Sequence, residues 1–132
     1  MALNQCFYSS LFFLIPIGLC FYSESYMYGL LFVNLLITSL LVHGVYITQW
    51  WMNAVDKFAI ALVVLYGLRV LMKKIQSIHI LILSCAVFTF VQVIYLYSRI
   101  LKIRDTDLEL ANMYHMYMHF IVSMGHSLLI LL

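Results

Sequence analysis

Met113-Tyr114-His115-Met116-Tyr117-Met118-His119-Phe120-Ile121-Val122-Ser123-Met124-Gly125-His126 opens the last apolar run of the chain, which continues to Leu132. From 113 to 132 the run holds no Asp, Glu, Lys or Arg. It is as long as the ~20 apolar residues that a helix needs to cross ~30 Å of hydrocarbon. His115, His119 and His126 recur on one helical face of it, and the first two stand at i and i+4, where two imidazoles can share one ligand. Metal-seeking or ionisable side chains inside a membrane helix are costly, and they point to function unless something else explains them.

Working outward, the whole chain shares this character. Hydrophobic residues make up 66% and charged residues 9%, and mean hydropathy is +1.06, far from the balance of a soluble domain, which needs a polar shell. An integral, multi-pass membrane protein is expected. Aromatic residues at 16%, many of them tyrosine, gather near the ends of apolar runs, as headgroup belts require. The net charge of +2 is too small and scattered for nucleic-acid binding. Cys6, Cys20 and Cys85 are odd in number and widely spaced, with no C-x-x-C pair, and they read as small hydrophobes within helices.

Apolar runs are expected as helices over about 5–22, 26–48, 54–72, 77–97 and 113–132, which gives an all-α polytopic bundle of about five spans in a single membrane domain, 1–132. The first contains Pro16, a kink tolerated where a neighbouring helix satisfies the freed carbonyl. It lacks a basic start and a small-x-small cleavage site, so a retained helix is expected rather than a signal peptide. The longest charged connection runs from Arg99 to Glu109 and includes Lys102, Arg104, Asp105 and Asp107.

With five crossings, one face of the membrane holds the amino terminus, the end of run two, the start of run three, the end of run four and the start of run five. Ser39, His43, Asp56, Gln92, His115 and His119, picked out by residue type, all fall there. His43 and His119 lie at matching depth, ~8 to 9 Å below the interface. Three neutral imidazoles, His43, His115 and His119, make a zinc shell with a fourth position open for water, the arrangement that hydrolytic zinc sites use. Ser39, one turn before His43, faces the same way and can hold that water or a developing oxyanion, or bond back to its own helix carbonyl. Asp56 is a candidate general base, or an orienting partner for a ligand histidine, or a near-interface carboxylate paired with Lys57. Gln92 is expected to hydrogen-bond between helices. His126 lies ~10 Å deeper than the pair and is too far to share their metal; it lines a substrate cavity or bonds a neighbouring helix. His79, on the opposite face, reads as interfacial. Lys57, Arg99, Lys102 and Arg104 on one face against Arg69, Lys73 and Lys74 on the other leave the orientation open.

Ser39-Leu40-Leu41-Val42-His43, then Asp56-Lys57-Phe58-Ala59-Ile60, then His115-Met116-Tyr117-Met118-His119 resemble, in order and placement, the signature of one membrane superfamily. It joins alkaline ceramidases, the adiponectin and progestin receptor family and bacterial hemolysin III proteins. Gly125 falls where hemolysin III relatives often carry glycine. The resemblance implies zinc on His43, His115 and His119, with Ser39 and Asp56 holding and activating the attacking water. It also implies hydrolysis of an amide in a membrane lipid, a ceramide-like sphingolipid above all. Family members usually have seven spans, whereas this chain is read with about five, the difference falling between the Asp helix and the final His pair. Two other readings compete: a receptor-like or regulatory protein with a structural zinc, and a small pore whose histidines bind no metal.

Overall fold

A computed structural model of the protein describes residues 5–46, 48–75, 77–104 and 107–132. Its regular elements are all helical: α1 (Gln5–Ser10), a 3-10 turn (Leu11–Phe13), α2 (Leu14–Tyr22), α3 (Tyr26–Gly44), α4 (Trp50–Lys74), α5 (Ile78–Arg104) and α6 (Leu108–Leu131). The all-α bundle expected from the apolar runs is what the chain forms. The rod made by α1, the turn and α2 packs on α3 and α6; α3 packs on α4, and α5 on α6.

The run boundaries shift for local reasons. The second helix stops at Gly44, where the amides of Val45 and Tyr46 both close on Leu41 O, at 2.9 and 2.8 Å. Ile47, inside the expected run, lies outside the described residues. The fourth run carries on as helix through Arg99, Lys102 and Arg104, so most of the expected charged connection is helical. Basic residues in that last turn oppose the negative end of the helix dipole. Asp105 lies outside the described residues. The final helix begins earlier than expected because Asp107 caps it, its carboxylate accepting from Leu110 N at 2.9 Å.

Pro16 cannot donate the backbone bond that residue 16 would make to Phe12 O. The 3-10 turn sits over this gap and gives Phe12 O a backbone N–H at its end, and Ser123 of α6 donates its hydroxyl to the same oxygen at 2.6 Å. The first rod is thus tied to α6 through the second lone pair of a carbonyl that the proline leaves without its i+4 donor.

Lipid offers no hydrophobic gain for bringing apolar helices together, so close packing at small residues and interhelical hydrogen bonds must do so. Both are present. A Cβ on Gly29 would lie 3.2 Å from Cys20 Cβ, and one on Gly67 would lie 2.7 Å from both Tyr28 Oη and His126 Cε1. Ser98 of α5 donates to Ala111 O at 2.9 Å, and Lys74 of α4 donates to Leu129 O and Ile130 O at the end of α6. A buried cluster of Phe13, Tyr28, Phe32, Leu35, Val63 and Ile130 fills the centre.

Among the described residues, three stretches, Gln5–Tyr22, α3 and α5, are long and apolar enough to cross a membrane. The other two helices, of 25 and 24 residues, match them in length. Their polar residues lower their apolarity: Asn53, Asp56, Lys57 and Arg69 in α4, and three histidines with Asn112, Ser123 and Ser127 in α6. In α6 much of this polarity is turned inward, since His119, Ser123 and Ser127 are buried. Gln92, expected between helices, instead lies exposed on α5.

Candidate metal centre

His115 and His119 stand one turn apart on α6, and their ring centroids are 4.7 Å apart. His43, in the last turn of α3, brings its ring to 5.0 Å from His115 and 5.6 Å from His119. The three imidazoles expected from the sequence to meet therefore do meet, at the end of the bundle where α1 begins.

α1 adds what the sequence reading did not assign. Cys6, Ser9 and Ser10, at i, i+3 and i+4, share one helical face, and all three are buried. Gly44, beside His43, lets α1 approach: a Cβ there would lie 2.9 Å from the ring of Phe7. Cys6 Sγ and ligand nitrogens of His43 and His115 all lie within 4.8 Å of one another. This group holds Cys6 where the sequence reading placed His119. Cys6 was read as a small hydrophobe because its spacing matches no metal motif. The membrane-face argument would have placed it, since that face holds the amino terminus by definition.

His119 belongs to the ring cluster by a different arrangement. Its Nδ1 is 2.9 Å from Ser9 Oγ, and Ser9 Oγ is 3.0 Å from Cys6 O. A carbonyl only accepts, so the single hydroxyl proton of Ser9 goes to Cys6 O, and Ser9 Oγ accepts from Nδ1–H of His119. The bond chain sets the tautomer and leaves Nε2 of His119 with its lone pair available. Ligand histidines are commonly oriented in this way through their second nitrogen.

The same logic places Ser39. Ser10 Oγ donates to Cys6 O at 2.8 Å and therefore accepts from Ser39 Oγ, also at 2.8 Å. Ser39 is buried against α1, joining α1 to α3 beside the histidines. Thr38 Oγ1 lies 3.0 Å from Asp56 Oδ1 and 3.1 Å from Leu35 O, so its one proton is shared between the carboxylate and its own helix carbonyl, and the contact docks the start of α4 on α3. Thr38 was not singled out in the sequence, where it is one hydroxyl among several. Asp56 has no hydrogen bond to a histidine among the described residues. His126 stands apart as its depth requires: Nδ1 bonds Tyr28 Oη, and its ring lies 5.2 Å from Phe32. It joins α6 to α3, with Gly67 of α4 leaving room for the pair.

The arrangement suits a metal ion. A tetrahedral zinc with bonds of ~2.0–2.1 Å to nitrogen and ~2.3 Å to sulfur sets its ligand atoms about 3.3 to 3.6 Å apart. Closing a gap of at most 4.8 Å by up to about 1.5 Å reaches that geometry, a displacement within the range of side-chain rotation. Imidazole and thiolate donors favour zinc over magnesium or calcium, which take oxygen ligands.

Compared with known proteins, the chain matches no family model, no curated protein and no solved structure.

Proposed function

We propose that this chain is a five-span integral membrane protein that uses a metal ion, zinc by its donor set, to hydrolyse an amide bond in a membrane lipid of the ceramide class. The observation that carries the reading is the convergence of His43, His115 and His119 from two helices at one end of the bundle. In support of five spans, α4 and α6 are each roughly 36 to 38 Å long at ~1.5 Å per residue. The substrate class comes from the sequence resemblance. When bound, the metal supplies Lewis-acid activation of water. The protein's own part is positional: Ser9 fixes the ring of His119, the Ser10–Ser39 bond sets α1 against α3, and Thr38 orients the carboxylate of Asp56, which accepts the proton.

A second reading, a structural metal that fastens α1, α3 and α6 in a regulatory or receptor-like protein, is favoured by one observation, the placement of Cys6 within the ligand group. Metal analysis of detergent-purified protein beside His43→Ala tests both. About one zinc per chain is expected, lost in the variant; a metal-free wild type would end both readings. With zinc present, Asp56→Asn should keep the metal and lower ceramide turnover by about 10² to 10⁴-fold, the usual range for a lost general base. Zinc without any turnover in the wild type leaves the structural reading.

A further inference from the structure

Cys6 is fully buried, and a buried cysteine is commonly just a small apolar side chain. Three features of its surroundings go beyond that role. Its sulfur stands within 4.8 Å of the ligand atoms of two histidines that come from different helices. Its backbone carbonyl receives both Ser9 and Ser10, so the turn that carries the sulfur is tied to His119 on one side and to Ser39 on the other. Its polar contacts to Asn112, at 3.6 Å to the backbone oxygen and 3.9 Å to Oδ1, are long, weak interactions of a kind that a metal–sulfur bond readily replaces.

We infer that Cys6 is a metal ligand, its thiolate completing a four-ligand shell with His43, His115 and Nε2 of His119. The inference rests on the metal reading above and deepens it. One metal–sulfur bond forms as the thiol proton leaves to solvent, and no electron is transferred. Ser9 serves the shell twice, since the hydroxyl that frees Nε2 of His119 also donates to the carbonyl of Cys6 itself. Four protein ligands fill a tetrahedral zinc site, as in structural centres, whereas a hydrolytic centre keeps one position open. For hydrolysis, water would need either a fifth position on the metal or the place of the Cys6 thiolate, and α1 is the element whose displacement would free that place. A purely structural metal needs no such movement.

The test uses the full chain in detergent, loaded with zinc for X-ray absorption and with cobalt(II) for optical absorption. One sulfur scatterer at ~2.3 Å beside nitrogens at ~2.0–2.1 Å is expected around zinc. Cobalt should give an intense sulfur-to-metal charge-transfer band that disappears in Cys6→Ser and survives in Cys20→Ser. Stoichiometric metal with a nitrogen and oxygen shell only, or a charge-transfer band that persists in Cys6→Ser, overturns the inference and leaves the three-histidine centre standing. Failure of the wild type to bind either metal overturns the metal reading, and the inference with it. The zinc measurement needs no variant, so it decides the question even if Cys6→Ser does not fold.

Discussion

Ser123→Ala removes the hydroxyl that reaches Phe12 O at 2.6 Å across the α2–α6 interface. Interhelical hydrogen bonds in membrane proteins average about 0.6 kcal/mol and reach about 1.7 kcal/mol, because the competing state finds partners too. This one belongs at the upper end. Pro16 denies Phe12 O its i+4 donor and leaves it only the poorer 3-10 backbone bond at the end of the turn, so the serine hydroxyl at 2.6 Å is its strongest partner. We predict a loss of about 1.5 kcal/mol, roughly a tenfold change in the unfolding equilibrium. The same reasoning fixes a second background. In Pro16→Ala the new backbone amide at 16 can donate to Phe12 O, so adding Ser123→Ala should cost only about 0.5 kcal/mol, a coupling of about 1 kcal/mol. Reversible unfolding in mixed micelles of rising sodium dodecyl sulfate fraction, followed by circular dichroism, measures all four corners of the cycle. Equal cost of Ser123→Ala in both backgrounds would refute the claim that the serine serves the carbonyl released by the proline.

Two further changes probe the packing and the metal centre. Gly67→Ala places a Cβ 2.7 Å from both Tyr28 Oη and His126 Cε1, so α4 must move or the Tyr28–His126 bond must break. A loss of about 1 to 3 kcal/mol is expected in the same unfolding assay. Gly18→Ala, with nothing within 4 Å of its new Cβ, should cost nothing, and equal effects would contradict the packing argument. Ser9→Ala leaves Nδ1 of His119 without its acceptor, and metal affinity measured by chelator competition should fall by about 10 to 100-fold while helical content stays constant. Unchanged affinity would show that the hydroxyl does not orient the ring.

Helix number and order were legible in the sequence because an apolar stretch too long for a buried soluble helix has few alternatives. The runs ending at Tyr22 and beginning at Tyr26 emerge as helices with the same inner boundaries. The ends moved where local bonds outweigh composition: at Gly44, where two amides share one carbonyl, and at Asp107, whose cap starts α6 before its apolar residues begin. The meeting of His43 with His115 and His119 was also legible, since helix periodicity fixes the i, i+4 pair and crossing parity fixes the leaflet. Parity assigns a membrane face, however, and says nothing of which helices touch. Gln92 is assigned to the same face by that parity and yet is exposed, because α5 packs only on α6 among the described residues.

The sequence by itself thus determined an all-helical chain and pointed to His43, His115 and His119 as neighbours at one end of it, through forces that act along the chain: hydropathy, helical period and the length of a crossing. Only the tertiary structure decided which hydroxyls and sulfur join them. Cys6 lies 37 residues before His43 and is ordinary by composition. It acquires a place at the centre because Gly44 lets α1 close over the end of α3, while the serines beside it bond His119 and Ser39. Such contacts depend on the rotation of each helix about its own axis. Packing at small residues and a handful of hydrogen bonds set that rotation, and no periodicity within a single helix encodes it.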